Sequence, residues 1–282
     1  MKNYKEFKEN VKCDLEQIIS EEFAQCELSE VTIPKINKMM DGFSICIQNG
    51  EKSIGPTFYY EDWYRRYQET GDYRHTVMML KSEIQRGLDF IARMQKSFSE
   101  VPSQQVYENV IMNLVNTERN GKLLERAVHR DLEDLGLSII YRCVKGELSS
   151  IITLDACREF GLCEEELHEH AKENLKRLMS PRVISSGDGM WVVTNSEIHH
   201  GAICMLMREC LSFIADKTGS DLYILPSSIH EVIVFPAFEG FDQEVMRQEI
   251  REINRNVVRE EDFLSDELYY FDRRSEKIRI AG

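Results

Sequence analysis

Apolar residues along this chain change their spacing repeatedly, from steps of three and four to steps of two, and the step-of-two runs come in pairs with turn residues between them. That pattern demands helices packed on hairpins, because each period buries a different kind of face. Tyr4, Phe7, Val11, Leu15, Ile18 and Phe23 line one side of a first helix. Val31, Ile33 and Ile36 then alternate with polar residues, as do Phe43, Ile45 and Ile47 beyond Asp41-Gly42. An Asp-Gly between two alternating runs predicts a hairpin, since glycine accepts the positive φ of a tight turn. Asn49-Gly50 is a second turn candidate, and Pro56–Tyr60 a short strand. Leu80, Ile84, Leu88, Ile91, Met94 and Phe98 form the stripe of a long helix, starting near Gly71-Asp72 and stopping at Val101-Pro102-Ser103.

The remainder mixes the two periods again. Val106 to Val115 alternates as a strand would, and Asn116 to Val128 holds a short helix. Leu135–Val144 and Ser150–Thr153 read as a hairpin around Lys145-Gly146. Asp155–Phe160 and Glu164–Leu178 are helices broken at Gly161. Val183-Ile184 and Trp191–Val193 flank Gly187-Asp188-Gly189 as another hairpin. Ala202–Ala215 is apolar on almost all sides and reads as one buried helix. Tyr223–Leu225 and Val232–Phe235 are strands around Pro226–Ile229, the second apolar enough to be central and covered on both faces. Val245/Met246, Ile250, Ile253 and Val257 make a last amphipathic helix. The class expected is α+β, with antiparallel hairpins flanked by helices, in two subdomains spanning 1–100 and 101–282.

Charge narrows the partners. The chain carries 35 Lys and Arg against 49 Asp and Glu, a net charge of −14. Phosphate contacts need clustered cations, so no nucleic-acid partner is expected. No apolar run approaches the ~20 residues of a membrane span, so no membrane partner is expected either, and the charged N-terminal stretch does not resemble a signal peptide. None of the 8 cysteines forms a Cys-x-x-Cys pair. They read as reduced, small buried side chains of a cytoplasmic protein.

Four constellations carry chemistry worth weighing. Ser227, Ser228, His230 and Glu231 contain the parts of an activated nucleophile. In an extended segment, however, His230 and Glu231 point to opposite faces, and Pro226-Ser227-Ser228 is an ordinary turn sequence. His199-His200 would become a metal site only if His230 joined them, and a capping or surface role fits the pair better. His168-Glu169-His170 on a helix cannot face one metal, because residues two apart lie about 200° apart. Tyr60, Trp63 and Tyr64, with neighbouring arginines, suit either a binding surface or rings packed on a sheet, and packing is favoured. No metal site and no cofactor is expected. His129-Arg130-Asp131-Leu132 copies the start of a kinase catalytic loop without its remaining parts.

Several segments together resemble a family of uncharacterised bacterial proteins carrying a domain of unknown function. They are Trp191-Val192-Val193-Thr194-Asn195 with Gly201-Ala202, and Leu225-Pro226-Ser227-Ser228-Ile229-His230-Glu231-Val232. Asp134–Arg142, Leu264–Tyr270 and Ile54–Tyr60 agree in order. The resemblance implies a bacterial intracellular protein in which Leu-Pro-Ser-Ser-Ile-His-Glu is a family hallmark, and it brings no activity or ligand with it. The expectation is a non-enzymatic cytoplasmic binding protein whose partner is a protein or a small ligand. The alternative is a hydrolase using His230 with Ser228 or a His-bound metal.

Overall fold

In the computed structural model the chain divides into two compact units, Met1–Lys35 with Met39–Val101, and Ile36–Lys38 with Pro102–Gly282. The structure describes residues 1–49, 52–98, 103–145 and 148–282. Turns expected at Asn49-Gly50 and Lys145-Gly146 include undescribed residues, and the helix stop at Val101-Pro102 lies outside the described residues. Among the described residues the strands form three sheets and every named strand pair is antiparallel, so the fold is α+β.

The first unit runs α1 (Tyr4–Glu22), β1 (Cys26–Lys35), β2 (Lys38–Asn49), β3 (Lys52–Ile54), β4 (Thr57–Tyr59), α2 (Tyr60–Thr70) and α3 (Tyr73–Phe98). A capping box starts α1: the Asn3 side chain accepts from Glu6 N–H, and the Glu6 carboxylate accepts from Asn3 N–H. Phe7, Val11 and Leu15 of α1, Phe43 and Ile45 of β2, and Leu80 and Ile84 of α3 meet in one core.

The first hairpin turns earlier than the sequence suggests. Its turn is Ile36-Asn37, with Asn37 at φ 61°, and Asp41-Gly42 lies inside β2. Asparagine tolerates this left-handed conformation better than most residues. Gly42 serves a different purpose. A Cβ there would run into the backbone carbonyl of Phe58 on β4, so glycine allows two strands to approach closely.

The second unit opens with α4 (Ser103–Asn109), β5 (Val110–Asn116), α5 (Gly121–Leu124), β6 (His129–Leu132), β7 (Leu137–Lys145) and β8 (Leu148–Ile151). It continues with α6 (Leu154–Glu159), α7 (Glu164–Leu178), β9 (Pro181–Gly187), β10 (Met190–Asn195), α8 (Arg208–Thr218), β11 (Leu222–Leu225), β12 (Val232–Pro236), α9 (Gln243–Asn256), β13 (Tyr269–Asp272) and β14 (Lys277–Ile280). One sheet has the order β5-β7-β6, with β8 also on β7, and the other the order β14-β13-β11-β12-β10-β9.

Three expectations are corrected here. The strand expected from Val106 begins only at Val110. The preceding residues form α4, where Asn174 Nδ2 of α7 donates to the carbonyls of Tyr107 and Val110 and closes the helix end. Ala202–Ala215 is not one helix. A 3-10 turn, Gly201–Leu206, is separated from α8 by Met207, whose ψ of 105° is extended. Finally β12 is central in its sheet, but Val232 and Val234 are buried while Ile233 and Phe235 are half-buried, so one face is covered more fully.

Asn37 belongs to the second unit and is held there by buried bonds. Its Nδ2 donates to the carbonyls of Glu261 (3.1 Å) and Phe263 (2.7 Å), and its N–H donates to Asn120 Oδ1 at 2.7 Å. Asn120 Nδ2 in turn donates to Asn37 Oδ1 at 2.8 Å. Asn37 is 7 % exposed, so these bonds have no ready substitute in water. Asn37→Ala should therefore cost about 3 kcal/mol, several buried bonds at 1–3 kcal/mol each less the repair by water. Urea unfolding of the variant beside the native chain measures it.

Candidate functional site

The site begins with a loop that leaves β10 and folds around one side chain. Asn195 is fully buried. Its Oδ1 accepts from Glu197 N–H and His199 N–H, and its Nδ2 donates to the His199 carbonyl at 2.8 Å. The loop is tight enough to hold Ile198 at φ 52° and His200 at φ 53°. It is then fastened to the turn before β12. Thr194 Oγ1 donates to the His230 carbonyl at 2.8 Å, Ala202 N–H to the Ile229 carbonyl, and His200 N–H to His230 Nδ1 at 3.0 Å. A Cβ at Gly201 would stand 2.6 Å from the His230 carbonyl oxygen and 2.7 Å from Asn195 N, so only glycine fits the crossing.

This brings His199, His200 and His230 together. The His199 ring stacks on His230 at 5.0 Å between centroids, and on its other neighbour His200 at 4.1 Å edge to face. Because His230 Nδ1 accepts the His200 N–H, its proton sits on Nε2, which donates to Asp262 Oδ1 at 2.9 Å. Asp262 Oδ2 is held by Arg259 at 2.7 Å. Both nitrogens of His230 are thus engaged. Ser228 does not meet the imidazole: its hydroxyl accepts from His230 N–H at 3.0 Å, the local turn bond that its sequence favours. Ser227 and Glu231 lie in the same turn, where Ser228 N–H donates to the Glu231 carbonyl. The serine–histidine pairing needed for a nucleophile is not formed by these side chains.

His200 faces a cation instead. Arg142 of β7 donates from Nη1 to His200 Nε2 at 2.8 Å. Burial first, and then the neighbouring guanidinium, hold the His200 pKa down at about 2. Burial also lowers that of His199. The rings do not converge as ligands would, and among the described residues no group of three or more His, Cys, Asp or Glu side chains is placed to hold a metal ion. His168 bonds the Tyr141 hydroxyl and His170 stacks on Tyr107, away from one another's partners.

The aromatic candidates go elsewhere. Tyr60 and Trp63 are core residues of the first unit, and Tyr64 packs half-buried against Phe7. Tyr60 lines a pocket of about 180 Å³ with Lys8, Glu30 and Asp41.

A larger opening lies in the second unit. A cleft of about 800 Å³ is lined by the end of β5 (Asn116, Thr117), by Arg119, by Leu135 and Gly136, and by Phe263, Ser265, Asp266 and Glu267. Its walls are prebuilt. Asn116 Nδ2 donates to the Leu264 carbonyl, Tyr269 OH donates to the Leu135 carbonyl at 3.0 Å, and Thr117 and Ser138 hydroxyls bond each other. The Arg119 guanidinium lies 3.5 Å above the Phe263 ring. Sequence reasoning missed Arg142, Asp262 and this cleft. Arg142 had a signal, a charge ending the apolar run Leu137–Tyr141, whereas nothing near Asp262 marks it as the partner of a residue 32 positions away.

The depressed pKa of His200 has a pH consequence. The folded chain keeps this ring neutral while the unfolded chain protonates it below about 6.5. The stability it contributes is present above that pH and is lost as the pH falls toward the folded value of about 2. Replacing the ring with a side chain that cannot titrate, His200→Asn, should remove up to about 1.4 kcal/mol per pH unit from the slope of stability between pH 6 and 4. Urea midpoints across that range, compared with the native chain, measure the difference.

No curated protein matches the chain, and no solved structure does. One family model matches it, over residues 4–188 and 184–273. With nearly the whole sequence so covered, the chain belongs to DUF5688, a family of unknown function.

Proposed function

We propose that this is a non-enzymatic ligand-binding protein of a bacterial cytoplasm, taking a small cationic ligand into the cleft of its second unit. The observation that carries the reading is the cleft itself. Its volume of about 800 Å³ falls in the range of small-molecule sites, and its walls are held before any ligand arrives. Three carboxylates, Glu118, Asp266 and Glu267, line it against one guanidinium, Arg119. Asp266 is occupied by Asn254 Nδ2 at 2.7 Å, but the Glu118 and Glu267 carboxylates make no hydrogen bond or ion pair among the described residues. They are available to a positive charge, while the face of the Phe263 ring is already taken by Arg119.

The hydrolase reading finds less support. A general base needs a nitrogen free to take a proton. His230 would have to break its bond to His200 N–H or to Asp262 first, and Ser228 is turned to the backbone.

A thermal-shift screen of amines, guanidines and quaternary ammonium compounds against matched carboxylates tests the proposal. Cations should raise the melting temperature, and Glu118→Gln with Glu267→Gln should weaken the best of them at least tenfold. A response to carboxylates alone would overturn the ligand class. Ester, phosphoester or peptide turnover that disappears in His230→Ala would overturn the non-enzymatic reading.

A further inference from the structure

Among the described residues, the buried side-chain nitrogens and oxygens that make no hydrogen bond fall on three residues: Asn113 Nδ2 and Oδ1, Arg142 Nε and His200 Nδ1. Register places two of these residues together. Arg142 pairs with Ile111 and Asn113 with Ile140 across the β5–β7 ladder, and directly paired residues project to the same face. Asn113 and Arg142 are therefore diagonal neighbours on one face, roughly 7–8 Å apart along the sheet and within reach of a long side chain. His200 is bonded to Arg142, and the 3-10 turn that follows it packs against β5. Asn113 is fully buried and His200 is 7 % exposed.

We propose that Asn113, Arg142 and His200 form an internal binding site for one small monoanion. The donors are fixed by the bonds already made. Arg142 donates to His200 Nε2, so the neutral His200 ring carries its proton on Nδ1, pointing a second donor away from the first. Arg142 Nε–H and the Asn113 amide N–H groups supply the others. Three unpaired donor groups against one unpaired acceptor, Asn113 Oδ1, call for a ligand richer in acceptors than in donors. Its charge follows from Arg142, a half-buried residue whose Nε is buried and which bonds no carboxylate among the described residues. The acid at the cluster, Asp262, is already shared between His230 and Arg259. One positive charge is balanced by one negative charge, and chloride, nitrate, formate and dihydrogen phosphate share that chemistry. Water satisfies the donors but leaves the charge uncompensated. The burial that keeps His200 neutral also keeps it a donor rather than a second cation.

The donor atoms Arg142 Nε, His200 Nδ1 and Asn113 Nδ2 are buried, so exchange of the ion requires a local opening. The test uses the intact chain, dialysed into a zwitterionic buffer with gluconate as the bulky counter-anion. Chloride, nitrate, formate and phosphate are then titrated at constant ionic strength while the Arg142 Nε–H and His200 Nδ1–H resonances are followed by proton–nitrogen NMR. At least one anion should transfer both resonances from a free to a bound position with a common, saturating dependence on concentration. Arg142→Met and Asn113→Leu should remove the saturable part of that anion's effect on melting temperature. Resonances unmoved by all four anions, or drifting linearly without saturation, would overturn the proposal, and this reading on the native chain stands even if a variant fails to fold.

Discussion

At Gly201 the chain passes so close to itself that no side chain fits, and the geometry of the whole histidine cluster follows from that crossing. With Thr194, Asn195 and the His230 carbonyl crowding the glycine, His200 N–H is pressed onto His230 Nδ1. That bond decides which nitrogen of His230 holds the proton, and the proton then points at Asp262. Ile229 N–H donates to the Asp262 carbonyl at 2.8 Å, so the same acid is gripped by backbone and by ring. A bulkier residue at 201 would separate the loop from the turn, and each of these bonds would be lost in sequence rather than singly.

In the site the Arg142 guanidinium lies against a ring that burial keeps neutral, His200. An imidazole beside a guanidinium in a buried setting cannot afford a charge of its own, which is why His200 accepts rather than repels. Asp262 stands on the far side of His230 and is neutralised there by Arg259. The carboxylate and the Arg142 guanidinium are thus kept apart by two rings that carry no net charge, although direct pairing is the usual fate of such groups in a protein interior. Arg142 is the group left with an unmet demand.

Much of the fold was legible because burial imposes a period. The stripes of α1, α3, α7 and α9 and the alternation of β9 through β12 each read directly, and antiparallel pairing followed from the turns between them. The errors arose where one local signal served two ends. Asp41-Gly42 has turn chemistry, but Gly42 is there for the approach of β4, and the turn went to Asn37, whose buried bonds favour it. Val106–Asn109 alternates as a strand would, but Asn174, 65 or more residues away, caps it as a helix. At the site, the sequence showed His199, His200 and His230 as chemistry-bearing groups. Their meeting, the bond to Asp262 and the unpaired Arg142 depend on contacts between distant segments, and no local pattern encodes those.

The segment from Arg259 to Glu267 runs from the histidine cluster to the cleft. Asp262 belongs to the histidine cluster and Phe263 to the cleft, and they are adjacent in the chain. Asn37 holds the carbonyls of Glu261 and Phe263 on either side of Asp262, and Asn116 holds that of Leu264. A segment pinned at successive residues transmits displacement instead of absorbing it, because its backbone bonds are buried and costly to break. The His230–Asp262 bond and the bonds from Asn37 and Asn116 together hold the segment that forms one wall of the cleft. His230 in this arrangement has both ring nitrogens engaged, and its oriented ring, which from sequence suggested proton transfer, is bonded to a carboxylate that Arg259 also holds.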